Sequence, residues 1–557
     1  MHSCSESLYI VLEKITSWIY LFKMSTKSTE DIANTLVKYF KESEVTEYLK
    51  RWILTLMRYI NSESGVSHHH IKTCHKNSHC SCDVSHCGTL PFSAIPQKRG
   101  YPLIGCMLDY YHNLGKTHWL LSQRSEEFGA IFKEKVGSTE IVFVSDLEAV
   151  ETMVKFEGRH PYHFDVAPWL EYRRESGKAC GILTAQGEDW GRMRRAINRH
   201  LLRSKHVADF SCDLNVVTED FLSRLARIRT ADNTVPDLHH EVLRWALEST
   251  GVVLFEKRLG CLEDRPNPDT ETFIRDAENI MSLTQQLIYL PTSFAKVILH
   301  STWKKHAQCW DALFSMAQKC VDEKISALQE NEEKDEAMGG FLSYLLAHGS
   351  MSAEEVYANV IELMIGGIHS TTSIVQWLLY ELSRSPSSQE SLYTELSQRL
   401  PTSAQITASQ MSHMPYLQAA LQEALRLYPV AGGIPRILQT DQTLCGYRLP
   451  KGANVMVLTH VIGRSPDLFE NPDNFCPDRW LQSGLSEQHR LLKDLAFGMG
   501  NRMCVGKRIG ELEIKILLSR LSQRFVVEPV TPDLVNIQSC LLLQPDKPIE
   551  VRFLDRD

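Results

Sequence analysis

The chain has 557 residues and a mass of 63.6 kDa, with 43% hydrophobic and 23% charged residues. A chain of this length and composition can bury a large core, which excludes the disordered and fibrous classes. The formal net charge of -8 at pH 7 argues against nucleic acid as a partner, because phosphate binding needs a concentrated basic surface. The 15 cysteines lack the spacing of a disulfide framework, so we expect a protein of a reducing compartment.

Residues 1–90 differ from the rest of the chain and are predicted to form an N-terminal extension that is partly helical and rich in His and Cys. The apolar stretch from Leu8 to Met24 is interrupted by Glu13 and Lys14 and falls short of the roughly 20 apolar residues of a membrane-spanning helix. The start of the chain is too acidic for a mitochondrial presequence, whereas a start at Met57 would give a more basic leader.

The segment from His68 to Cys87 contains ten His and Cys residues that could bind zinc. They lack a paired C-x-x-C frame and a surrounding apolar core. We therefore interpret the segment as a tether or a discarded leader, and keep a metal site as the less favoured alternative. A single globular domain is predicted from residue 91 to residue 557.

The domain is predicted to be mainly α-helical with a minor β component. A proline-containing run from Pro91 to Gly105 ends the N-terminal helices. Periodicity and turn signals then predict the following elements: a helix over Trp119–Phe128, strands over Ala130–Val136 and Glu140–Ser145, and a second small β region over Ile434–Leu458. Most of the remaining chain has helical periodicity.

A long central helix is predicted from Ser352 to Arg384. Ser352 and Glu355 have the spacing of a capping box at its start. Midway the helix carries the sequence from Gly366 to Thr372, whose glycines and hydroxyl side chains weaken regular helical bonding. We expect a widened groove there, suited to oxygen and water.

The most specific chemical signal is the sequence from Phe497 to Gly506, which contains Cys504 and is followed by a predicted helix over Lys507–Phe525. Its glycines allow the loop to lie against a flat macrocycle. The start of the helix stabilises a thiolate at Cys504, and Arg502 can neutralise a carboxylate of the bound group. A buried free cysteine in a glycine-containing turn is the alternative interpretation.

This loop resembles the haem loop of the cytochrome P-450 family, F-x-x-G-x-R-x-C-x-G, at every fixed position, and the resemblance extends from about Pro91 to the C-terminus. It implies the cytochrome P-450 fold, with the haem between the central long helix and the cysteine-loop helix. The implied cofactor is haem b (heme b), with Cys504 as the axial thiolate ligand of the iron. Phe497 and Gly506 are the loop's other implied haem contacts.

Two further motifs of the family are present in the chain. E-x-x-R matches Glu423 and Arg426, and P-x-R-W matches Arg479 together with Pro477 and Trp480. In the family these residues form a structural Glu-Arg-Arg network behind the haem. Glu423 and Arg426 are three residues apart on one helical face, so a bidentate ion pair can form; a solvated surface pair is the alternative.

The family binds the haem propionates with cationic side chains. Its W-x-x-x-R pattern matches Trp190 and Arg194, and its other propionate positions match Arg436 and Arg502. The alternative is that Arg194 belongs to an ordinary basic helix face. Trp190, about one helical turn before Arg194, favours the haem role.

The family's oxygen-activation motif, A/G-G-x-D/E-T-T/S, matches Gly366, Gly367 and Thr371. His369 stands in place of the family's acid, and Ser370 in place of its first threonine. Ser370 can donate and accept hydrogen bonds as threonine does, and His369 can titrate near neutral pH. We expect His369, Ser370 and Thr371 to serve proton delivery, with a His369 that bonds a backbone carbonyl as the structural alternative.

Other segments resemble the mitochondrial-type animal group of vitamin D and sterol side-chain hydroxylases. These segments are 168–173, 414–417 and 510–513. The resemblance implies an adrenodoxin-type ferredoxin as electron donor rather than a flavoprotein reductase. Gln418 and Gln422 replace the lysines that commonly bind the ferredoxin in that group, while Lys507 and Arg508 keep a basic patch near the cysteine loop.

The same resemblance implies the matrix side of the mitochondrial inner membrane, with the endoplasmic reticulum membrane as the alternative. The apolar stretch Leu287–Leu299, broken by Pro291, predicts peripheral contact with a bilayer. The alternative is an ordinary lid over a substrate channel.

We therefore expect a haem-thiolate monooxygenase that inserts one oxygen atom from O2 into an apolar, sterol-like substrate with electrons from a redox partner. A haem-thiolate isomerase or dehydratase acting on a peroxide, and a noncatalytic haem- or sterol-binding protein, are the alternatives. Product formation with NADPH and partner, with peroxide alone, or with neither would distinguish the three.

Overall fold

The computed structural model describes residues 88–101, 104–330, 340–401, 405–482 and 487–556. Most of the predicted N-terminal extension, including the His68–Cys87 segment, lies outside these residues. The helices are α1 (Met107–His112), α2 (Thr117–Phe128), α3 (Leu147–Lys155), α4 (Ala167–Ser176), α5 (Gly187–Leu201), α6 (Ser204–Asp209), α7 (Ser211–Ile228), α8 (Leu238–Phe255), α9 (Pro268–Leu287), α10 (Thr292–Ile298), α11 (His300–Glu330), α12 (Phe341–Ala347), α13 (Ala353–Arg384), α14 (Pro386–Arg399), α15 (Ala408–Met411), α16 (Pro415–Leu427), α17 (Thr459–Gly463), α18 (Glu487–Leu495) and α19 (Lys507–Arg524).

The strands form small sheets, in agreement with the predicted minor β component. They are β1 (Ile131–Val136), β2 (Thr139–Val144), β3 (Ile434–Ile437), β4 (Gln442–Leu444), β5 (Tyr447–Leu449), β6 (Asn454–Val457), β7 (Phe525–Pro529), β8 (Ile537–Cys540), β9 (Leu542–Pro545) and β10 (Val551–Asp555). A four-stranded sheet has the order β1-β2-β6-β3. Its β2 and β6 strands are parallel and its other pairs antiparallel, so the two predicted β regions join in one sheet.

The central helix α13 passes through the main core. Ser352 caps its start and forms the predicted capping box with Glu355. Ile361, Met364, Ile365 and Ile368 are at most 1% exposed, as their apolar periodicity predicts. α13 packs against α8, α11, α16 and α19, which makes it the scaffold between the elements that carry the motifs.

One predicted boundary needs correction. The helix α19 ends at Arg524, since Phe525 begins β7 and pairs with Asp555. The helix α13 is α-helical without interruption through Gly366 and Gly367; Gly366 is exposed with open space beside it, and the widened groove stays a prediction. The apolar stretch Leu287–Leu299 is divided at Pro291, as its sequence predicts, between the end of α9 and α10.

Part of that apolar stretch faces the protein rather than the surface. Leu287, Leu290, Ala295 and Leu299 are at most 8% exposed and belong to the main core. Pro291 precedes the first turn of α10, where its fixed φ suits a helix start. Among the described residues, no helix combines the length and apolar character needed to cross a membrane.

Candidate active site

Cys504 lies in a tight loop immediately before α19. Its backbone N–H donates to the carbonyl of Phe497 at 2.7 Å, and the backbone N–H groups of Gly506 and Lys507 form hydrogen bonds with its sulfur. The side chain is accessible to solvent, yet the surrounding protein desolvates the thiol and raises its pKa. A thiol that is both accessible and desolvated lines an internal cleft, where N–H groups at a helix start favour the thiolate.

The carboxylate of Glu157 is inserted into the same loop. It accepts hydrogen bonds from the backbone N–H of Asn501 and from Nε of Arg436, the latter at 3.2 Å. Gly500 has a φ of 68°, and a Cβ at this position would collide with the Glu157 carboxylate. Glycine is therefore required at this point of the loop, and Glu157 connects the loop to Arg436.

Three arginines gather around this cleft. Burial, together with the positive charges of Arg436 and Arg194, lowers the pKa of Arg502 to about 9. The Arg502 and Arg194 guanidinium groups lie 4.5 and 5.9 Å from the centroid of the Trp190 ring. Arg194 also interacts electrostatically with Cys504. The structure thus brings together Trp190, Arg194, Arg436, Arg502 and Cys504, which are far apart in the sequence.

Among the described residues, these arginines have too few anionic partners. Glu157 is the carboxylate that pairs with Arg436, and no described carboxylate forms an ion pair with Arg194 or Arg502. Arg194 is 7% exposed, and its Nε lacks a hydrogen-bond partner among the described residues. Buried guanidinium groups without anions are costly. The residues therefore fit a ligand that brings carboxylates into the cleft, as haem b does with its two propionates.

The Arg502 side chain is held mainly by backbone carbonyls. Its Nε donates to Pro161 at 2.6 Å, and its Nη2 donates to the carbonyl of Ala185 at 2.7 Å and to Oε1 of Gln186 at 2.9 Å. In the described part of the chain Nη1 has no protein acceptor. One side of the guanidinium is therefore fixed while the other is available to a ligand.

The predicted Glu-Arg-Arg set forms a buried network. Glu423 is 0% exposed and receives Nε and Nη2 of Arg426 at 2.9 and 2.7 Å, which is a bidentate pair. It also accepts from Nε of Arg479 at 2.9 Å and from the indole of Trp480 at 2.8 Å. Arg426 additionally donates to the carbonyls of Gly463 and Pro472 at 2.7 and 2.6 Å. The charges are thus buried with their hydrogen bonds made, as a stable buried pair requires.

On α13, Gly366 is exposed and Ser370 is half-buried. The Ser370 hydroxyl donates to the carbonyl of Gly366 at 2.6 Å and lies 3.4 Å from that of Gly367. Serine that bonds back to its own helix occupies a carbonyl already used in the helical ladder. The hydroxyl is therefore held on the face that carries the accessible glycine.

Thr371 points to a different neighbour. Its Oγ1 donates to Oε1 of Glu513 on α19 at 2.7 Å, and both side chains are buried. Burial raises the pKa of Glu513 to about 8, although the Thr371 hydrogen bond opposes the shift. In the sequence, Glu513 stands out only as part of the 510–513 resemblance, which assigns no role to its carboxyl.

His369 is turned toward α8 and α9. It forms a hydrogen bond with the backbone of Ala277, and burial lowers its pKa. Nearby, Glu278 pairs with His239 at 2.9 Å. This contact agrees with the alternative in which His369 bonds a backbone carbonyl. The lowered pKa favours a neutral imidazole. The predicted role in proton delivery stays a prediction.

The basic residues beside the cysteine loop are partly engaged. Lys507 forms an ion pair with Asp494, and Arg508 donates to the hydroxyl of Ser204 at 2.6 Å. Gln418 and Gln422 are half-buried on α16. The surface next to the loop therefore keeps the cations Lys507 and Arg508. On α16, the amides Gln418 and Gln422 stand where the resembling group has lysines.

Known proteins resemble the chain over most of its length. The family model described as Cytochrome P450 matches residues 95–553. Cytochrome P450 10 of Lymnaea stagnalis is 32% identical over 475 residues, covering 84% of this chain and 86% of that protein. The mitochondrial 25-hydroxyvitamin D-1 alpha hydroxylase of Homo sapiens is 34% identical over 456 residues, covering 80% and 89%. The mitochondrial sterol 26-hydroxylase of Rattus norvegicus is 32% identical over 485 residues, covering 84% and 88%.

The family match and these identities agree with the cleft that Cys504 and the arginines form. They also agree with the mainly α fold and its minor sheets. The chain belongs to the cytochrome P450 family, the haem-thiolate monooxygenases.

Proposed function

We propose that this cytochrome P450 inserts one oxygen atom from O2 into an apolar, sterol-like substrate, with Cys504 as the axial ligand of haem b. The observation that carries the proposal is the meeting of Cys504 with Arg194, Arg436 and Arg502 around one cleft. A desolvated thiol beside Arg194 and Arg502, which form no ion pair with a described carboxylate, suits a ligand with a metal at its centre and carboxylates at its edge.

When bound, haem b with an axial thiolate supplies O2 binding and O–O cleavage. The protein residues provide its setting. Backbone N–H groups of Gly506 and Lys507 stabilise the Cys504 thiolate, and Arg194, Arg436 and Arg502 would hold the propionates. Phe497 adds its carbonyl to the loop turn, and Glu423 with its arginines supports the chain behind the loop.

We propose that the Ser370 hydroxyl holds a water molecule near the site of oxygen activation, and that this water carries the protons. The observation in support is the position of this hydroxyl beside the accessible Gly366. Thr371, the next residue on α13, would act through its hydrogen bond to Glu513. His369 remains a proposed member of the route, acting as a neutral imidazole that can accept and return a proton.

The substrate class rests on the relatives. The similar proteins include hydroxylases of vitamin D compounds and of sterols. A ligand of this kind gains binding energy from apolar area removed from water. We therefore infer an apolar, sterol-like substrate; screening lipids for spectral shifts of the purified haem protein would identify it.

We infer an adrenodoxin-type ferredoxin as electron donor and the matrix side of the mitochondrial inner membrane as location, with peripheral membrane contact. The names of several relatives include the word mitochondrial. Arg508 near the cysteine loop supplies one of the cations that an acidic partner would meet. A flavoprotein reductase at the endoplasmic reticulum is the competing donor, and turnover with each purified partner distinguishes them.

A second candidate is a haem-thiolate isomerase or dehydratase that acts on a peroxide. Position 369 favours it, because a histidine with a lowered pKa stands where a carboxylic acid would help oxygen activation. Product from a lipid hydroperoxide without NADPH would support this candidate. Product that requires NADPH, O2 and a redox partner supports the monooxygenase, and absence of both products would leave a binding protein.

A further inference from the structure

We propose that Glu362 is a positioning residue for the haem site. It fixes the loop of residues 181–186 to α13, and this loop in turn holds Arg502. The inference rests on the proposed function, because it takes Arg502 as a partner of a haem propionate. Neither of the motifs around Cys504 and Ser370 includes Glu362.

The carboxylate of Glu362 is a buried acceptor with four donors. It is 1% exposed and accepts from Nη2 of Arg173 at 2.7 Å and from Oγ1 of Thr184 at 2.6 Å. The backbone N–H groups of Leu183 and Gly181 also donate to it, at 2.6 and 3.3 Å. Three of the four donors belong to the 181–186 loop, so the carboxylate binds the loop as well as the arginine.

The helix holds the loop at a second point close by. Asn359 of α13 accepts from the backbone N–H of Ile182 at 2.9 Å. Three successive N–H groups of the loop therefore end on two side chains of the central helix. Gly181 lies so near that a Cβ there would collide with the Glu362 carboxylate. The loop is docked tightly, and it has little freedom to shift while Glu362 keeps its charge.

The other end of the loop reaches Arg502. The carbonyl of Ala185 and the side chain of Gln186 accept from Arg502 Nη2 at 2.7 and 2.9 Å. Ala185 follows Thr184 directly, so only one peptide bond separates a donor to Glu362 from an acceptor of Arg502. The position of the guanidinium therefore depends on the docking of the loop to α13.

A carboxylate is needed because of what surrounds it. Arg173 is 2% exposed, and its guanidinium lies 4.5 Å from the centroid of the Trp310 ring, so its charge requires a buried anion. Glutamine would leave one oxygen to accept and would turn an amide N–H toward donors. Glu362 also precedes Gly366 by four residues and Ser370 by eight, which puts it on the same face of α13.

The test compares Glu362→Gln with Glu241→Gln in the full-length holoenzyme. Glu241 is a matched control, since it is 5% exposed and accepts from Arg224 at 2.6 and 3.0 Å but does not contact the haem-site residues. Thr184→Val removes one donor to Glu362 without leaving a charge unpaired. The readouts are the rate of haem transfer to excess apomyoglobin, amide hydrogen exchange in residues 181–183, and the melting temperature.

We expect Glu362→Gln to speed haem loss and loop amide exchange by about tenfold or more, as the loss of hydrogen bonds to a charged group implies. Thr184→Val should shift both readouts in the same direction by a smaller factor. Glu241→Gln should lower the melting temperature while leaving haem loss and the loop amides unchanged.

Equal haem loss in the Glu362 and Glu241 variants would overturn the proposal, because Glu362 would then contribute only general stability. Unchanged loop exchange in Glu362→Gln would overturn it as well. If Glu362→Gln does not fold, Thr184→Val decides: unchanged haem loss and exchange contradict the positioning role. Failure of the proposed function is separate, since it would appear as a haem spectrum that does not depend on Cys504.

Discussion

Thr371 donates its hydroxyl hydrogen to the Glu513 carboxyl across 2.7 Å, and no cation among the described residues forms an ion pair with that carboxyl. The bond joins the central helix to the helix after Cys504. Because burial raises the pKa of Glu513 to about 8, the group is mostly protonated at neutral pH. A carboxylic acid in this state can both accept from Thr371 and donate to another acceptor.

This pKa predicts a pH-dependent loss of stability. In the unfolded chain Glu513 has its ordinary pKa of 4.5, so between about pH 4.5 and 8 the folded state keeps a proton that the unfolded state has released. The free energy of unfolding should therefore fall as pH rises through this window, by at most about 1.4 kcal/mol per pH unit from this group.

Glu513→Gln should remove that slope. Urea unfolding of both proteins at pH 5, 6, 7 and 8 measures it, and the stability of the variant relative to the native protein should increase with pH. Parallel profiles would mean that Glu513 titrates normally in the folded protein.

The buried network around Glu423 predicts a failure of folding and haem incorporation. Glu423→Ala or Arg426→Ala leaves a buried charge unpaired, at a cost of about 3–5 kcal/mol. Haem content per protein and melting temperature measure the effect. Lys319→Ala is the control, because its pair with Asp269 is 61% and 55% exposed, and exposed pairs contribute little to stability. Full haem content in the Glu423 and Arg426 variants would show that the network does not support the site.

Arg194 predicts a more modest effect on haem retention. Arg194→Ala removes a buried guanidinium whose Nε has no hydrogen-bond partner in the described part of the chain, so haem should leave the variant faster while the fold persists. Arg195→Ala is the matched control, because it removes an exposed arginine that is next to Arg194 on the same helix. Haem transfer to apomyoglobin gives both rates, and equal rates would remove Arg194 from the propionate site.

The proton route is tested by the coupling of electrons to product. Ser370→Ala should keep haem and substrate binding but divert reducing equivalents to hydrogen peroxide. His369→Ala should slow turnover and alter its pH dependence if the imidazole takes part. NADPH consumed, peroxide released and product formed are measured for each variant. Unaltered coupling in both would exclude the pair and leave Thr371 as the hydroxyl to examine.

Local signals predicted the main elements well, and tertiary contacts explain the remainder. Ser352 and Glu355 define the start of α13 because a capping box is complete within four residues. The predicted helix includes Phe525, because its strand partner Asp555 lies 30 residues away along the chain and local signals do not reveal it.

The candidate site divides in the same way. Cys504, Arg502 and Phe497 are close in sequence, so their motif could be read directly. Glu157 and Glu362 were not predicted, because each acts on a partner that is more than 170 residues distant. The one signal for Glu362 is an acid within the apolar run from Ile361 to Ile365. A buried acid in such a run indicates a partner, though not which one.

The most direct test of the proposed haem ligation is the absorption spectrum of the reduced, carbon monoxide-bound protein. The native protein should give the band of a thiolate-ligated haem, and Cys504→Ala should abolish it. Cys445→Ala, which changes a half-buried cysteine elsewhere, should leave it intact. A thiolate-type band that persists in Cys504→Ala would contradict the assignment of Cys504 as the axial ligand.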